Sequence, residues 1–290
     1  MNERTPLRPA DDPPMAELEL CAADGVRLHT REWHPEGEPR GAVVLIHGLG
    51  EHGGRHLAGS QALARSGFTV LAPDLRGHGQ STGPSGHADY QALLDDAGLL
   101  LEEAGRRVAG RPRFLYGHSL GGSLVINYAL RYHPDIAGIV ATGVLFRPAA
   151  TLPRWKLLLG RLFYRLWPSF SMGNEVDPQA LSREPAVARA YVTDPLVRRR
   201  VSARLGIGLL EAGEWALAHA SELRLPLLLM HGADDRLTSP TASARFASLA
   251  GERCTFKLWE GCYHEIHNEA IRDEVFAAIV EWLDERVATG

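Results

Sequence analysis

Apolar positions along this chain recur with two periods. Runs that are apolar throughout, or at every second residue, predict strands at 17–21, 26–33, 42–46, 69–72, 114–116, 136–140, 225–230 and 255–259. The first two face each other across Asp24-Gly25, a dipeptide suited to the positive φ angles of a tight hairpin turn. Between the later strands the spacing becomes helical, at 56–64, 90–108 and 123–132. Leu93, Leu94, Leu100 and Leu101 mark the apolar face of the second of these. From Thr241 onward two helices flank the last strand, the second running from about Ile271 to Val287. Strands alternating with helices in this way predict an α/β fold, a mostly parallel sheet covered by helices on both faces.

The alternation stops between about Arg147 and Glu222. That stretch reads as helices, with Pro148, Pro153, Pro168, Pro178, Pro185 and Pro195 as breaks. It starts with Trp155, Leu157, Leu158, Leu159, Leu162, Phe163, Leu166, Trp167 and Phe170, interleaved with Arg154, Lys156, Arg161 and Arg165. Two readings suit this pattern. Basic side chains flanking an apolar stripe can hold a helix at a bilayer surface, where it collects lipid. Alternatively the stripe packs down on the core and lines a tunnel for an acyl chain, the preferred reading because most apolar stripes are core. Both point to a greasy substrate.

At 290 residues the chain suits one α/β core carrying an inserted cap better than two independent domains. The division expected is a disordered tail at 1–14, rich in proline and charge, a core at 15–146 and 223–290, and a helical cap at 147–222. The apolar and charged fractions, 45% and 23%, are those of an ordinary soluble globular protein, and a net charge of −4 gives no reason to expect nucleic acid. Cys21, Cys254 and Cys262 are odd in number and lack metal-like spacing, which disfavours a disulfide framework and suits a reducing cytoplasm. No signal-peptide h-region and no run of about 20 apolar residues is visible, so a transmembrane segment is not expected.

The densest chemical signal is Gly117-His118-Ser119-Leu120-Gly121, placed after a strand and before a helix. A serine attacks a carbonyl only if its oxygen is presented on a tight strand-to-helix turn, and flanking glycines remove the Cβ atoms that such a turn would crowd. This is the context of a nucleophile elbow. Serine, acid and histidine then follow in the order the elbow predicts: Asp234 and Asp235 come just past the strand at 225–230, and His264 comes after the strand at 255–259. All would lie beyond the carboxyl ends of their strands, where open α/β sheets build sites. Asp235 is preferred over Asp234. His264 is preferred over His267, because a loop histidine swings more freely than one opening a helix.

Together these residues resemble the monoacylglycerol lipase and lysophospholipase branch of the α/β-hydrolases. The resemblance extends to His47-Gly48-Leu49-Gly50-Glu51-His52-Gly53-Gly54-Arg55, which is similar to the family's first oxyanion loop, and to Asp74-Leu75-Arg76-Gly77-His78-Gly79-Gln80-Ser81, similar to its second. It implies an eight-stranded α/β-hydrolase sheet with a helical cap. It further implies a triad of Ser119, Asp235 and His264, an oxyanion hole from the N–H groups of Leu49 and Leu120, and bracing of the oxyanion and elbow loops by Asp74 and Arg76. His56 departs from the pattern, the family often carrying tyrosine there. That position is expected to open a helix and to affect local packing only.

Gly48-Leu49-Gly50-Glu51-His52-Gly53 also spells a dinucleotide fingerprint, with Asp74 about 20 residues on. Glu51 argues against it, since a carboxylate would occupy the helix N-terminus that a pyrophosphate requires. His52 and His56 lack a third ligand at suitable spacing, and His78 and His87 read as surface-loop histidines, so no metal and no cofactor is expected. The function expected is hydrolysis of a monoacylglycerol ester by an acyl-enzyme on Ser119. Alternatives are a lysophospholipase or carboxylesterase, and a hydrolase-fold protein turned binding module. The expected partner is a lipid-like acyl ester, with peripheral membrane contact through the cap.

Overall fold

The computed structural model describes residues 12–288, so most of the expected tail at 1–14 lies outside the described residues. Eight strands form one sheet: β1 (Met15–Cys21), β2 (Arg27–Trp33), β3 (Gly41–Ile46), β4 (Phe68–Pro73), β5 (Arg113–His118), β6 (Gly138–Thr142), and two later strands, β9 (Leu227–Gly232) and β10 (Cys254–Trp259). Their order is β1-β2-β4-β3-β5-β6-β9-β10. β2 pairs antiparallel with both β1 and β4, and the remaining pairs are parallel. Gly25, at φ 82°, makes the β1–β2 turn. β1 is largely exposed, whereas β3, β4, β6 and β9 are buried at every residue, which is why they read as continuous apolar runs.

Alternate side chains of these strands feed two apolar layers. Val44 and Ile46 of β3 join Leu115, Ile139 and Leu229 under α2 (Tyr90–Arg107) and α3 (Leu120–Tyr132). Val43 and Leu45 join Phe114, Val140 and Leu228 on the other face, under α1 (Leu57–Arg65) and α8 (Arg272–Val287). α7 (Pro240–Ala250) lies between β9 and β10 in sequence. Because β3, β5, β9 and β10 run parallel, the loops after Ile46, His118, Gly232 and Trp259 all leave the same edge of the sheet.

Between β6 and β9 the chain leaves the sheet and forms α4 (Arg154–Leu166), β7 (Ser171–Gly173), α5 (Pro185–Thr193), β8 (Arg200–Ser202) and α6 (Ala203–Ala218). β7 and β8 pair as a small antiparallel ribbon where helices alone were expected; three-residue strands are too short to leave a periodicity. The prolines start helices as well as ending them: Pro153 precedes α4 and Pro185 opens α5, where its missing N–H costs nothing. α6 departs from a separate cap, since its Leu205, Leu209, Ala216 and Leu217 enter the apolar layer of α2 and α3. Among the described residues, no helix is long and apolar enough to cross a membrane.

Candidate functional site

Ser119 joins β5 to α3 at φ 55° and ψ −112°, a backbone conformation that a non-glycine residue adopts only under strain. Its N–H is held by Thr142 O at 2.9 Å, and its carbonyl accepts from Ser123 N and Leu145 N at 3.0 and 3.1 Å. A Cβ on Gly117 would collide with the carbonyl of Gly121, and one on Gly121 with the carbonyl of Ile46. The glycines are therefore demanded by close backbone packing. Leu120, the first residue of α3, has an N–H that the helix leaves without an intrahelical acceptor.

Of the two neighbouring carboxylates, Asp235 meets His264: its Oδ2 lies 2.7 Å from His264 Nδ1, and its side chain is fully buried. Asp234 points outward and pairs with Arg183 at 2.6 Å. Backbone N–H groups of Leu237 and Thr238 donate to Asp235 Oδ1 at 2.8 and 3.0 Å. Burial pushes the Asp235 carboxyl upward, but His264 and His231 outweigh it and hold it well below the usual range. Burial likewise works against a charged His264, yet the Asp235 carboxylate wins and raises the imidazole above its ordinary value.

His267 takes no part in this pair. It lies in a short turn at Ile266–Asn268, its ring 4.7 Å from that of His118 and 4.9 Å from that of His56. His118 in turn lies 4.7 Å from the ring of His264, with Nδ1 3.1 Å from Thr142 Oγ1. Burial first, then the neighbouring imidazoles, keep His118 well below the usual histidine range, so it stays uncharged beside His264.

The loop after β3 is organised by Glu51. Its Oε1 accepts the N–H of Gly48 at 2.5 Å and its Oε2 accepts from Arg55 Nε at 3.1 Å. Arg55 continues to both oxygens of Glu265, at 2.9 and 3.0 Å, joining the Gly48-Leu49 loop to the residue after His264. This carboxylate occupies N–H positions that a phosphate would need, a physical reason against nucleotide binding. Burial pushes Glu51 upward, but His56, His118 and Arg55 hold it well below the carboxylate norm. His56 ends the turn before α1 and lies 3.4 Å from Glu51 Oε1, so it joins this network as well as the packing. His52 faces away, onto Asp194 of the segment between β6 and β9, at 2.8 Å. Arg198 donates its N–H to Gly50 O at 2.7 Å and completes that tie.

Two expectations need correction. Asp74 does brace the loop, accepting from Gly53 N, Gln80 N and Arg31, but Arg76 does not touch the elbow. Its guanidinium grips both oxygens of Asp96 on α2 and Asp24 in the β1–β2 turn, all at 2.6 Å. His78 is buried rather than a surface-loop histidine, with Nδ1 3.0 Å from Arg76 O.

Ser119 and His264 open into a cavity of about 420 Å³. Leu49, Leu145, Leu209 and Leu210 line it from the core side, and Leu152, Trp155, Leu157, Leu159, Phe163 and Phe170 from α4 and its flanks. α4 thus lines the tunnel with one face while burying no residue fully: Leu158 and Leu166 are 67% and 75% exposed, and Trp155 is 63% exposed. The same helix therefore lines the cavity and exposes apolar side chains.

The chain matches the model of the Hydrolase_4 family, described as serine aminopeptidase S33, over residues 37–271. It is 32% identical to the monoacylglycerol lipase of Mycolicibacterium smegmatis, over 92% of this chain and 96% of that one. The solved structure of Paleococcus ferrophilus monoacylglycerol lipase superposes with a TM-score of 0.83 at 36% identity, covering 89% and 99% of the two chains. The chain belongs to the monoacylglycerol lipase branch of the α/β-hydrolases. It is also 38% identical, over 92% of its length, to an uncharacterized abhydrolase domain-containing protein of Dictyostelium discoideum, of which it spans 29%.

For a member of this branch, sequence reading passed over Glu51 as an organiser of the Gly48-Leu49 loop. It also passed over His231, whose Nε2 lies 2.9 Å from Asp235 Oδ2. The spacing of four residues was visible in both Glu51-Arg55 and His231-Asp235. That spacing marks a pair on a helix, but His231 is the last residue but one of a strand and Asp235 lies in a loop.

Proposed function

We propose that this protein hydrolyses the ester bond of long-chain monoacylglycerols, releasing glycerol and a fatty acid through an acyl-enzyme on Ser119. Residues 147–222 serve as its cap. Ser119 Oγ attacks the ester carbonyl carbon while His264 takes its proton, and Asp235 fixes the imidazole tautomer and stabilises the imidazolium. The N–H groups of Leu49 and Leu120 receive the charge that develops on the carbonyl oxygen. His264 returns the proton to the departing glycerol oxygen, then activates the water that cleaves the acyl-enzyme.

The observation that carries this reading is the cavity: one apolar chamber with Ser119 and His264 on its wall. Its charged lining is Glu51, Lys156, Glu175, Arg236 and Glu265, of which Lys156 already pairs with Glu175 and Glu265 with Arg55. That balance suits a neutral polyol better than the phosphate of a lysophospholipid. The exposed apolar side of α4, set between Arg154, Arg161 and Arg165, supports docking on a bilayer from which the substrate is drawn.

The test is product release by wild type and Ser119→Ala from monoacylglycerol, lysophosphatidylcholine and p-nitrophenyl esters of several chain lengths. Fastest turnover on monoacylglycerol, lowered by about 10⁴-fold or more in Ser119→Ala, is expected. Faster turnover of lysophosphatidylcholine would move the substrate to a phospholipid, and an active Ser119→Ala would overturn the nucleophile. Only neutral His264 can accept a proton, and the Asp235 carboxylate raises its pKa above that of an ordinary imidazole. The value of kcat/KM should therefore fall as pH is lowered through a midpoint above that of an ordinary histidine, which a pH-rate profile measures.

A further inference from the structure

Asp235 carries more hydrogen bonds than a triad requires. Two backbone N–H groups hold Oδ1, and Oδ2 is approached by His264 Nδ1 at 2.7 Å, by Thr238 Oγ1 at 2.7 Å and by His231 Nε2 at 2.9 Å. His231 is the last residue but one of β9, its side chain fully buried, and its other nitrogen lies 2.8 Å from Ser243 Oγ on α7. An ionised carboxylate only accepts, so each ring nitrogen facing Asp235 carries a proton. A His231 that carries its proton on Nε2 alone leaves Nδ1 bare, and the Ser243 hydroxyl is placed to donate to it. Thr238 also reaches Gly143 O at 3.0 Å, so its single proton has another acceptor.

We propose that His231 is a positioning residue for this reaction, with Ser243 setting its tautomer so that two imidazoles, His231 from β9 and His264 from the loop after β10, grip the same carboxylate oxygen. This rests on the Ser119–His264–Asp235 reading above and extends it to a line from Ser243 through His231 and Asp235 to His264. Its physical purpose is orientation. Without His231, Oδ2 would be held beside His264 by Thr238 alone, whose single proton Gly143 O also accepts, and a small misplacement in such a chain is costly in rate. His231 approaches from β9 and Ser243 from α7, both fixed in the core, whereas His264 stands on a loop; the imidazole on the strand keeps the acceptor in place for the one on the loop. No step of bond-making passes through His231, and it does not line the cavity.

The experiment compares His231→Leu, His231→Gln and Ser243→Ala with wild type and Ser119→Ala. Each is checked by thermal unfolding, and wild type by NMR of ¹⁵N-histidine. Loss of one neutral hydrogen bond to the acid should lower kcat roughly tenfold in His231→Leu with KM unchanged within about twofold. His231→Gln, whose amide can still donate to Oδ2, should recover most of that loss. Ser243→Ala should fall between them, and the wild-type spectrum should show His231 protonated at Nε2. Unchanged kcat in a folded His231→Leu, a Gln variant as poor as Leu, or an Nδ1–H tautomer would each overturn the proposal. If His231→Leu does not fold, Ser243→Ala and the tautomer decide. An active Ser119→Ala would instead remove the triad reading and leave the tautomer result standing alone.

Discussion

α3 and α4 are both helices of 13 residues, and they meet opposite fates. Ten residues of α3 are buried, among them Leu124, Val125 and Ile126, and its only basic residue is Arg131. α4 buries none, and Arg154, Lys156, Arg161 and Arg165 interrupt its apolar positions. A helix apolar on all sides must be enclosed, and α3 is enclosed by the sheet, α2 and α6; a helix with a charged face need commit only one side. The difference separates two duties. α3 is a buried support behind Ser119, while α4 lines the cavity and leaves other apolar side chains exposed.

Truncation should separate the two most sharply. Leu124→Ala removes a fully buried side chain and should cost about 2–5 kcal/mol of unfolding free energy in urea, whereas Leu158→Ala should stay within about 0.5 kcal/mol. Equal losses would mean that α4 is as much core as α3. Glycine replacements probe the backbone in the same way. Gly121→Ala drives a methyl into the Ile46 carbonyl and should destabilise by roughly 1–3 kcal/mol, with loss of activity. Gly160→Ala meets only the tip of Ile207, 3.0 Å away, and gains helix propensity, so by thermal unfolding it should lie within about 1 kcal/mol of wild type. Least visible in stability is Trp155→Ser with Trp167→Ser: both side chains are more than half exposed, and the Tm should scarcely move. Sedimentation with liposomes should nevertheless be abolished, and undiminished sedimentation would leave these exposed tryptophans at the two ends of α4 without a membrane role.

Where the pattern was legible, local physics had written it. The apolar runs at 42–46, 69–72 and 225–230 match β3, β4 and β9 to within a residue or two, because strands buried on both faces admit little else. The elbow was legible because a strained turn between a strand and a helix needs Gly117 and Gly121 at fixed offsets. The helix expected at 56–64 begins with a tighter turn at Gly53–His56, and β7 and β8 left no trace, since a boundary or a three-residue ribbon is settled by partners distant in sequence.

By itself the sequence determined the alternating architecture, the presence of Ser119 on an elbow, and the order in which an acid and a histidine follow it, since these depend on residues within a turn or two of one another. Only the tertiary structure decided that Asp235 rather than Asp234 meets His264, that Glu51 holds the Gly48-Leu49 loop, that His231 shares the acid, and that α4 shows an apolar side to the outside. Those outcomes are distances through space. A composition pattern can say that a carboxylate or an imidazole is near the edge of a sheet, but which of two neighbours turns inward depends on packing from strands and helices tens or hundreds of residues away.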